Sequence, residues 1–243
     1  MRVAVLELPA SYDRRGAREA ELERLLEAGP PCDLALLGEA VLTGYVSPSG
    51  DFDLSRFAEP LDGPTLGRAR ALARRHGTAL GLPLVERGPD GLLYNCYVLL
   101  DATGELVHRY RKRHPWYPEA WATPGEQPFE CVELGGISLV VAICFDLHFL
   151  TREASPALSR ADLLVFPSAW VDDDAQDARA APLGGLERRF GVAIANPNWG
   201  PGDPAMRGQG ASRILRPGQA PLVAQSSAHT PLRIDAVIEP RRR

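Results

Sequence analysis

The chain has 243 residues, 45% of them hydrophobic and 24% charged, with a formal charge of −4. That length is enough for a sizeable core, and the weakly acidic balance excludes the basic footprint of a protein that binds nucleic acid or an anionic membrane. One count stands out: the cations comprise 26 Arg and a single Lys, Lys112.

Residues 3–8 and 33–39 read as strands around an amphipathic helix over 14–28, where Ala17, Leu22, Leu25 and Leu26 lie among Arg and Glu. A second helix over 64–76 follows Asp62-Gly63-Pro64, with Pro64 suited to a first-turn position. Strands over 78–86, 93–101 and 105–111 come next. Asp90-Gly91 and Thr103-Gly104 are the turn signals bounding an added hairpin at 93–111. The second half alternates strands over 137–144, 162–168, 190–196, 211–215 and 230–238 with helices over 150–160 and about 177–190. Strands alternating with helices predict an α/β protein. No repeat or linker divides the chain, so residues 1–243 are expected to form one domain, with Arg241-Arg242-Arg243 as a frayed, solvated tail.

Cys32, Cys96, Cys131 and Cys144 contain no C-x-x-C pair, so neither a zinc-ribbon nor a thioredoxin-like reading holds. The N-terminus carries no signal-peptide pattern, and the longest near-apolar run, Ile137 to Phe145, is far short of the ~20 residues that span a bilayer. The expectation is a soluble protein of the reducing cytoplasm.

Three residues carry candidate chemistry. Cys144 closes the run Ser138 to Ile143, and α/β sheets place their chemistry outside the carboxyl ends of strands. A buried structural thiol is the alternative, because free Cys is among the most buried residue types. Glu39 closes the apolar run Leu34 to Gly38, where an acid must be paired, solvated or functional. Lys112, in Tyr110-Arg111-Lys112-Arg113-His114, stands alone among arginines. A compact ammonium can point at one developing charge where a planar guanidinium cannot.

Together these segments resemble the nitrilase, or carbon–nitrogen hydrolase, superfamily, whose mark is a Glu, Lys, Cys triad in that order at the ends of different strands. The resemblance rests on Leu37-Gly38-Glu39 to Thr43-Gly44-Tyr45, on Leu93-Tyr94-Asn95 with Tyr110 to His114, and on Ile143-Cys144-Phe145-Asp146. It continues through Phe166-Pro167-Ser168-Ala169-Trp170, Glu187 nine residues before Asn196, and Gly210-Ala211-Ser212. It implies a four-layer αββα sandwich of two mixed sheets, no metal and no cofactor, and a homodimer or higher homo-oligomer. It also implies roles: Cys144 as nucleophile, Glu39 as general base, and Lys112 with the Phe145 amide as oxyanion donors. Glu119 falls where the family often has a second Glu.

Two departures bear on substrate. Where the family often follows the nucleophile with Arg-Phe-Pro-Glu, this chain reads His148-Phe149-Leu150-Thr151, leaving Arg152 as the nearest basic residue for a substrate carboxylate. Phe145-Asp146 replaces the Trp-Glu usual in true nitrilases, which favours an amide or carbamoyl substrate over a nitrile. Trp116, Trp121, Trp170 and Trp199 all follow motif strands; Trp170 and one of Trp116 or Trp121 are expected to line an acyl pocket together with Phe145 and His148. The alternatives are a catalytically silent binding protein on the same fold, a true nitrilase, a Cys–His hydrolase using His114 or His148, and a metallo-hydrolase built on Asp146, His148, His114 and His108.

Overall fold

The chain opens with strand β1 (Arg2–Glu7), helix α1 (Arg15–Ala28) and strand β2 (Leu34–Leu37). Helix α2 (Pro64–His76) leads into β3 (Ala79–Arg87), β4 (Leu93–Leu100) and β5 (Leu106–Arg111). A long loop then reaches β6 (Val132–Leu134) and β7 (Ile137–Val141), followed by the short helices α3 (Leu150–Glu153) and α4 (Ser155–Leu158). Strand β8 (Leu163–Val165), helix α5 (Ala180–Phe190) and strands β9 (Ala193–Asn196), β10 (Arg213–Leu215), β11 (Leu222–Val223) and β12 (Leu232–Val237) complete it. This computed structural model describes residues 1–172 and 177–241.

The strands form two six-stranded sheets, ordered β12-β1-β2-β3-β4-β5 and β11-β10-β9-β8-β7-β6. In the first, β1, β2 and β3 are parallel, with β12 antiparallel on one side and the meander β3-β4-β5 on the other. In the second, β7, β8 and β9 are parallel, with β6 and the pair β10-β11 antiparallel at the edges. The central strands are apolar throughout because both faces are covered. Along β1, Val3 and Val5 join the core shared with β7, β8 and β9, while Ala4 and Leu6 join the core with Leu22 and Leu26 of α1 and Leu66 and Leu72 of α2. Leu150, Leu158, Leu183 and Leu186 of α3, α4 and α5 pack on the second sheet. The result is the expected αββα arrangement of four layers.

The boundaries differ from the sequence reading in ways that matter for the site. Strand β2 stops at Leu37, and β7 stops at Val141, so neither Glu39 nor Cys144 lies on a strand. The apolar run of β7 continues through buried Ala142 and Ile143 after the ladder has ended, which is why composition alone extends it. The helix expected over 150–160 breaks into α3 and α4, with Pro156 in the first turn of the second. The strands β6 and β11, of three and two residues, were not expected. Asp90-Gly91 turns β3 into β4 and Thr103-Gly104 turns β4 into β5, so the hairpin at 93–111 belongs to a three-stranded meander. Arg241 is anchored rather than frayed: its amide donates to Asp162 Oδ1 (2.8 Å) and its guanidinium to the carbonyls of Phe190 (2.6 Å) and Ser159 (2.9 Å). Arg242 and Arg243 lie outside the described residues.

Leu36, at the centre of β2 and fully buried between the sheets, is a direct test of this packing. Leu36→Ala is expected to cost about 2–5 kcal/mol, seen as a lower denaturant midpoint with an unchanged m-value.

Candidate active site

Glu39 lies two residues beyond β2, Lys112 directly beyond β5, and Cys144 three residues beyond β7. The two sheets bring these ends together. Lys112 Nζ donates to Glu39 Oε1 at 2.7 Å and to Glu119 Oε1 and Oε2 at 2.8 and 2.9 Å. The Cys144 thiol faces Glu39 closely enough for the carboxylate to act on its ionisation. None of the four side chains belongs to a residue more than 6% exposed.

Each group is held by its local backbone. Glu39 also accepts from Asn95 Nδ2 (2.8 Å) and from the Ala169 amide (2.9 Å), which follows β8 in the second sheet. Gly38 makes this approach possible, since a Cβ there would stand 3.0 Å from the Asn198 carbonyl carbon. The Lys112 amide donates to the Asn95 carbonyl (2.8 Å), and the Gly125 amide returns to the Lys112 carbonyl (2.8 Å), closing the loop that carries Glu119. Glu119 in turn accepts from the Tyr45 hydroxyl (2.8 Å) and the Trp116 amide (3.1 Å). Cys144 sits at φ +45°, in the left-handed region that non-glycine residues seldom adopt, at the start of a tight turn over Cys144–His148. Asp146 fixes that turn. Its Oδ2 accepts from the Ile143 amide (2.9 Å) and the Tyr110 hydroxyl (2.8 Å), and its Oδ1 from the His114 amide (3.0 Å).

Two carboxylates and one ammonium share this buried volume, so their charges must compensate. Burial works against the Lys112 ammonium, but Glu119 and Glu39 outweigh it and hold the group protonated far above its ordinary range. Burial raises Glu119, opposed by Lys112. Burial and the Glu39 carboxylate push the Cys144 thiol well up, with Lys112 pulling the other way, so the group rests as a thiol, and a thiol reacts as a nucleophile only with a base beside it. Burial pushes Asp146 up to about 6, against the donors at Ile143 and Tyr110.

Cys144 opens into a cavity of about 340 Å³ walled by Tyr45, Trp116, Tyr117, Phe145, His148 and Trp170. Asp172 completes one side. Of the two tryptophans on the Glu119 loop, the structure brings only Trp116 here. Trp121, on the opposite arm of that loop, lines a separate crevice with Leu42, Leu84 and Asn95. Asp146, His148, His114 and His108 do not converge as a ligand set: the Asp146 oxygens are taken as described, His114 Nε2 meets Glu153 (2.9 Å), and His108 faces Glu130 (3.5 Å). Among the described residues, the cluster with three potential metal-ligand side chains in reach of one another is Glu23, Glu27 and His76, on α1 and α2. Arg152 is exposed and pairs with Glu153, away from the cavity. Tyr45 and Asn95 stood in the motifs of the sequence without a role assigned to them, and Asp172 was not singled out. Asn95 left a further signal, as an amide inside the apolar strand β4; Asp172 left none.

A buried thiol facing a carboxylate, with an ammonium bridging that carboxylate and a second one, defines a thiol hydrolase of the Glu–Lys–Cys type. The family model for carbon–nitrogen hydrolases matches residues 2–217, and the chain belongs to that family. It is 33% identical over 204 residues to the "Hydrolase in pqqF 5'region" of Pseudomonas protegens, covering 81% of this chain and 69% of that protein. It is 31% identical over 185 residues to the deaminated glutathione amidase of Homo sapiens, covering 69% of this chain and 55% of that one. Among solved structures, a cysteine-to-alanine mutant of the amidase from Nesterenkonia sp. AN1, of the nitrilase superfamily, superposes with a TM-score of 0.80 at 25% identity, over 99% of this chain and 90% of that one.

Asp146→Ala would leave three donors without their acceptor, two of them buried and the His114 amide half-buried. The expected cost is about 3 kcal/mol or more, measured as a loss of unfolding free energy in denaturant, with Asp146→Asn intermediate because an amide oxygen can retain part of the set.

Proposed function

We propose that this protein hydrolyses the C–N bond of a small amide or N-carbamoyl compound through a thioester on Cys144. The observation that carries the reading is the contact set of Lys112, whose donors meet Glu39 and both oxygens of Glu119 beside a thiol that faces Glu39. The comparisons support it: in a glutamate-to-glutamine mutant of the Nesterenkonia amidase, acrylamide adds at the active-site cysteine.

In this reading Glu39 takes the thiol proton as Cys144 Sγ attacks the substrate carbonyl carbon. The electron pair of the C=O bond moves to oxygen, and the Lys112 ammonium with the Phe145 amide stabilises that oxyanion. The resting geometry makes this transfer self-timed. All Lys112 donors are engaged at rest, one of them with Glu39 Oε1. When Glu39 becomes neutral it releases its hold on the ammonium at the moment that a negative oxygen appears on the substrate. Collapse of the tetrahedral intermediate breaks the C–N bond, and Glu39 returns its proton to the departing amine. Water, deprotonated by Glu39, then attacks the thioester, and the thiol leaves with a proton. Glu119 positions Lys112 through both oxygens and is itself held by Tyr45 and Trp116. Protein groups and water supply every step.

Trp170, Trp116, Phe145 and His148 form the acyl pocket in this reading, and Trp121 supports the loop from behind. A silent binding protein has no use for an ammonium buried between two carboxylates, so the enzymatic reading is favoured. Among the described residues no helix is long and apolar enough to cross a membrane. We extend the proposal to a homo-oligomer on the family resemblance, and to the reducing cytoplasm on the four free cysteines.

A panel of amides, N-carbamoyl compounds and nitriles, read by released ammonia, tests the assignment. Cys144→Ala is expected to abolish turnover and the acyl adduct seen by mass spectrometry. Lys112→Arg, which keeps the charge, is expected to lose about 100-fold or more in kcat, because a planar fork cannot replace a compact donor in a closed site. Activity near the parent level in either variant would overturn the mechanism.

A further inference from the structure

The proposed acyl pocket has a one-sided charge balance. Among the described residues that wall it there is no Lys and no Arg. Among those described residues the one carboxylate is that of Asp172, a residue only 8% exposed. Arg152, the basic residue nearest the nucleophile in sequence, is spent on Glu153 and the face of Phe149 outside the cavity. Asp172 has no cation of its own: among the described residues no Lys, Arg or His pairs with it, and its recorded partner is the Trp170 indole, which donates from Nε1 to Oδ1 at 2.6 Å. A carboxylate that gives one oxygen to an indole keeps lone pairs for further donors.

The rest of the wall is aromatic. Trp116 and Tyr117 meet edge to face at 5.0 Å between ring centres, Trp116 stacks with Tyr45 at 6.5 Å, and His148 lies 6.1 Å from Trp170. Ring faces attract a cation, most strongly where water is excluded. A half-enclosed site of rings around one carboxylate is therefore matched to an organic ammonium. The same wall opposes a substrate carboxylate, which would be buried against Asp172 with no basic partner.

We infer that the pocket selects amides or ureido compounds whose far end carries an ammonium group, with Asp172 as the residue that reads it. This inference rests on the hydrolase reading above and adds a substrate class to it. It also separates this chain from enzymes whose substrate is an anion, because the polarity of the pocket wall is reversed.

Three amides of one length test it: 4-aminobutanamide, pentanamide and glutaramate, which share a three-methylene spacer and differ in ending on an ammonium, a methyl group or a carboxylate. The wild-type protein is expected to show kcat/KM for 4-aminobutanamide about tenfold or more above pentanamide, with glutaramate lowest. In Asp172→Asn, which keeps an oxygen for the Trp170 indole, the ratio of the first two is expected to fall toward one. Glutaramate matching or exceeding 4-aminobutanamide in the wild type, or a ratio that survives Asp172→Asn, would overturn the inference while leaving the hydrolase reading intact. Where turnover of all three is too slow to measure, the order in which they protect Cys144 from acrylamide gives the same comparison. No turnover of any amide together with no acrylamide adduct at Cys144 would overturn the hydrolase reading and this inference with it.

Discussion

The ammonium of Lys112, buried between Glu39 and Glu119, is the interaction on which the rest of the site depends. An isolated charge at that depth would be prohibitively unfavourable, and any two of the three groups would leave the third uncompensated or the pair poorly satisfied. The three together account for every Lys112 donor and anchor the ends of two strands and one loop. The shared hydrogen bonds of Asn95 and Tyr45 extend the cluster into β4 and into the loop after β2. Electrostatics of this kind does not make the fold stable by itself. It specifies one arrangement of loops whose lengths and sequences would otherwise permit several.

The topology explains why such a cluster can be assembled at all. Read from β12, the first sheet runs through one antiparallel pair, two parallel pairs and two antiparallel pairs. Read from β6, the second sheet runs through the same sequence. Each half thus contributes three parallel strands, and groups at their carboxyl ends meet across the interface between sheets. Glu39 comes from the middle parallel strand of one sheet, and the Ala169 amide that grips it follows the middle parallel strand of the other. Cys144 is placed by a third such end, and the Pro167 carbonyl, beyond β8, takes its amide. Cys144 and Glu39 are therefore referenced to the same strand end, which fixes their separation more firmly than two independent loops would.

Much of this was legible in the sequence, for physical reasons that differ residue by residue. Glu39 and Lys112 were visible because a charge that terminates an apolar run has to be explained, and Lys112 doubly so because of its isolation in composition. Most elements were visible from apolar periodicity, and α2 spans the expected 64–76 with Pro64 in its first turn. Strand ends were not visible, because burial outlasts the hydrogen-bonded ladder: Ala142 and Ile143 are as apolar and buried as the residues of β7. The choice between Trp116 and Trp121 was not visible either, because both flank Glu119 and only the path of the loop decides which one turns toward the thiol. Asp172 was hidden for another reason. The first of three consecutive acids, Asp172-Asp173-Asp174, looks like solvent-facing decoration until the fold sets it beside aromatic rings.

The scarcity and depth of Lys112 have a practical consequence for covalent chemistry. All 26 other cationic side chains are guanidinium groups, which do not react with the acylating reagents used to modify surface amines. The one ε-amine in the chain has a side chain with no exposed surface and is kept protonated, and therefore non-nucleophilic, by its two carboxylates. Acylation at position 112 thus requires the sheets' meeting edge to open, so its rate is a clock for that local opening, read from a single residue without any introduced label.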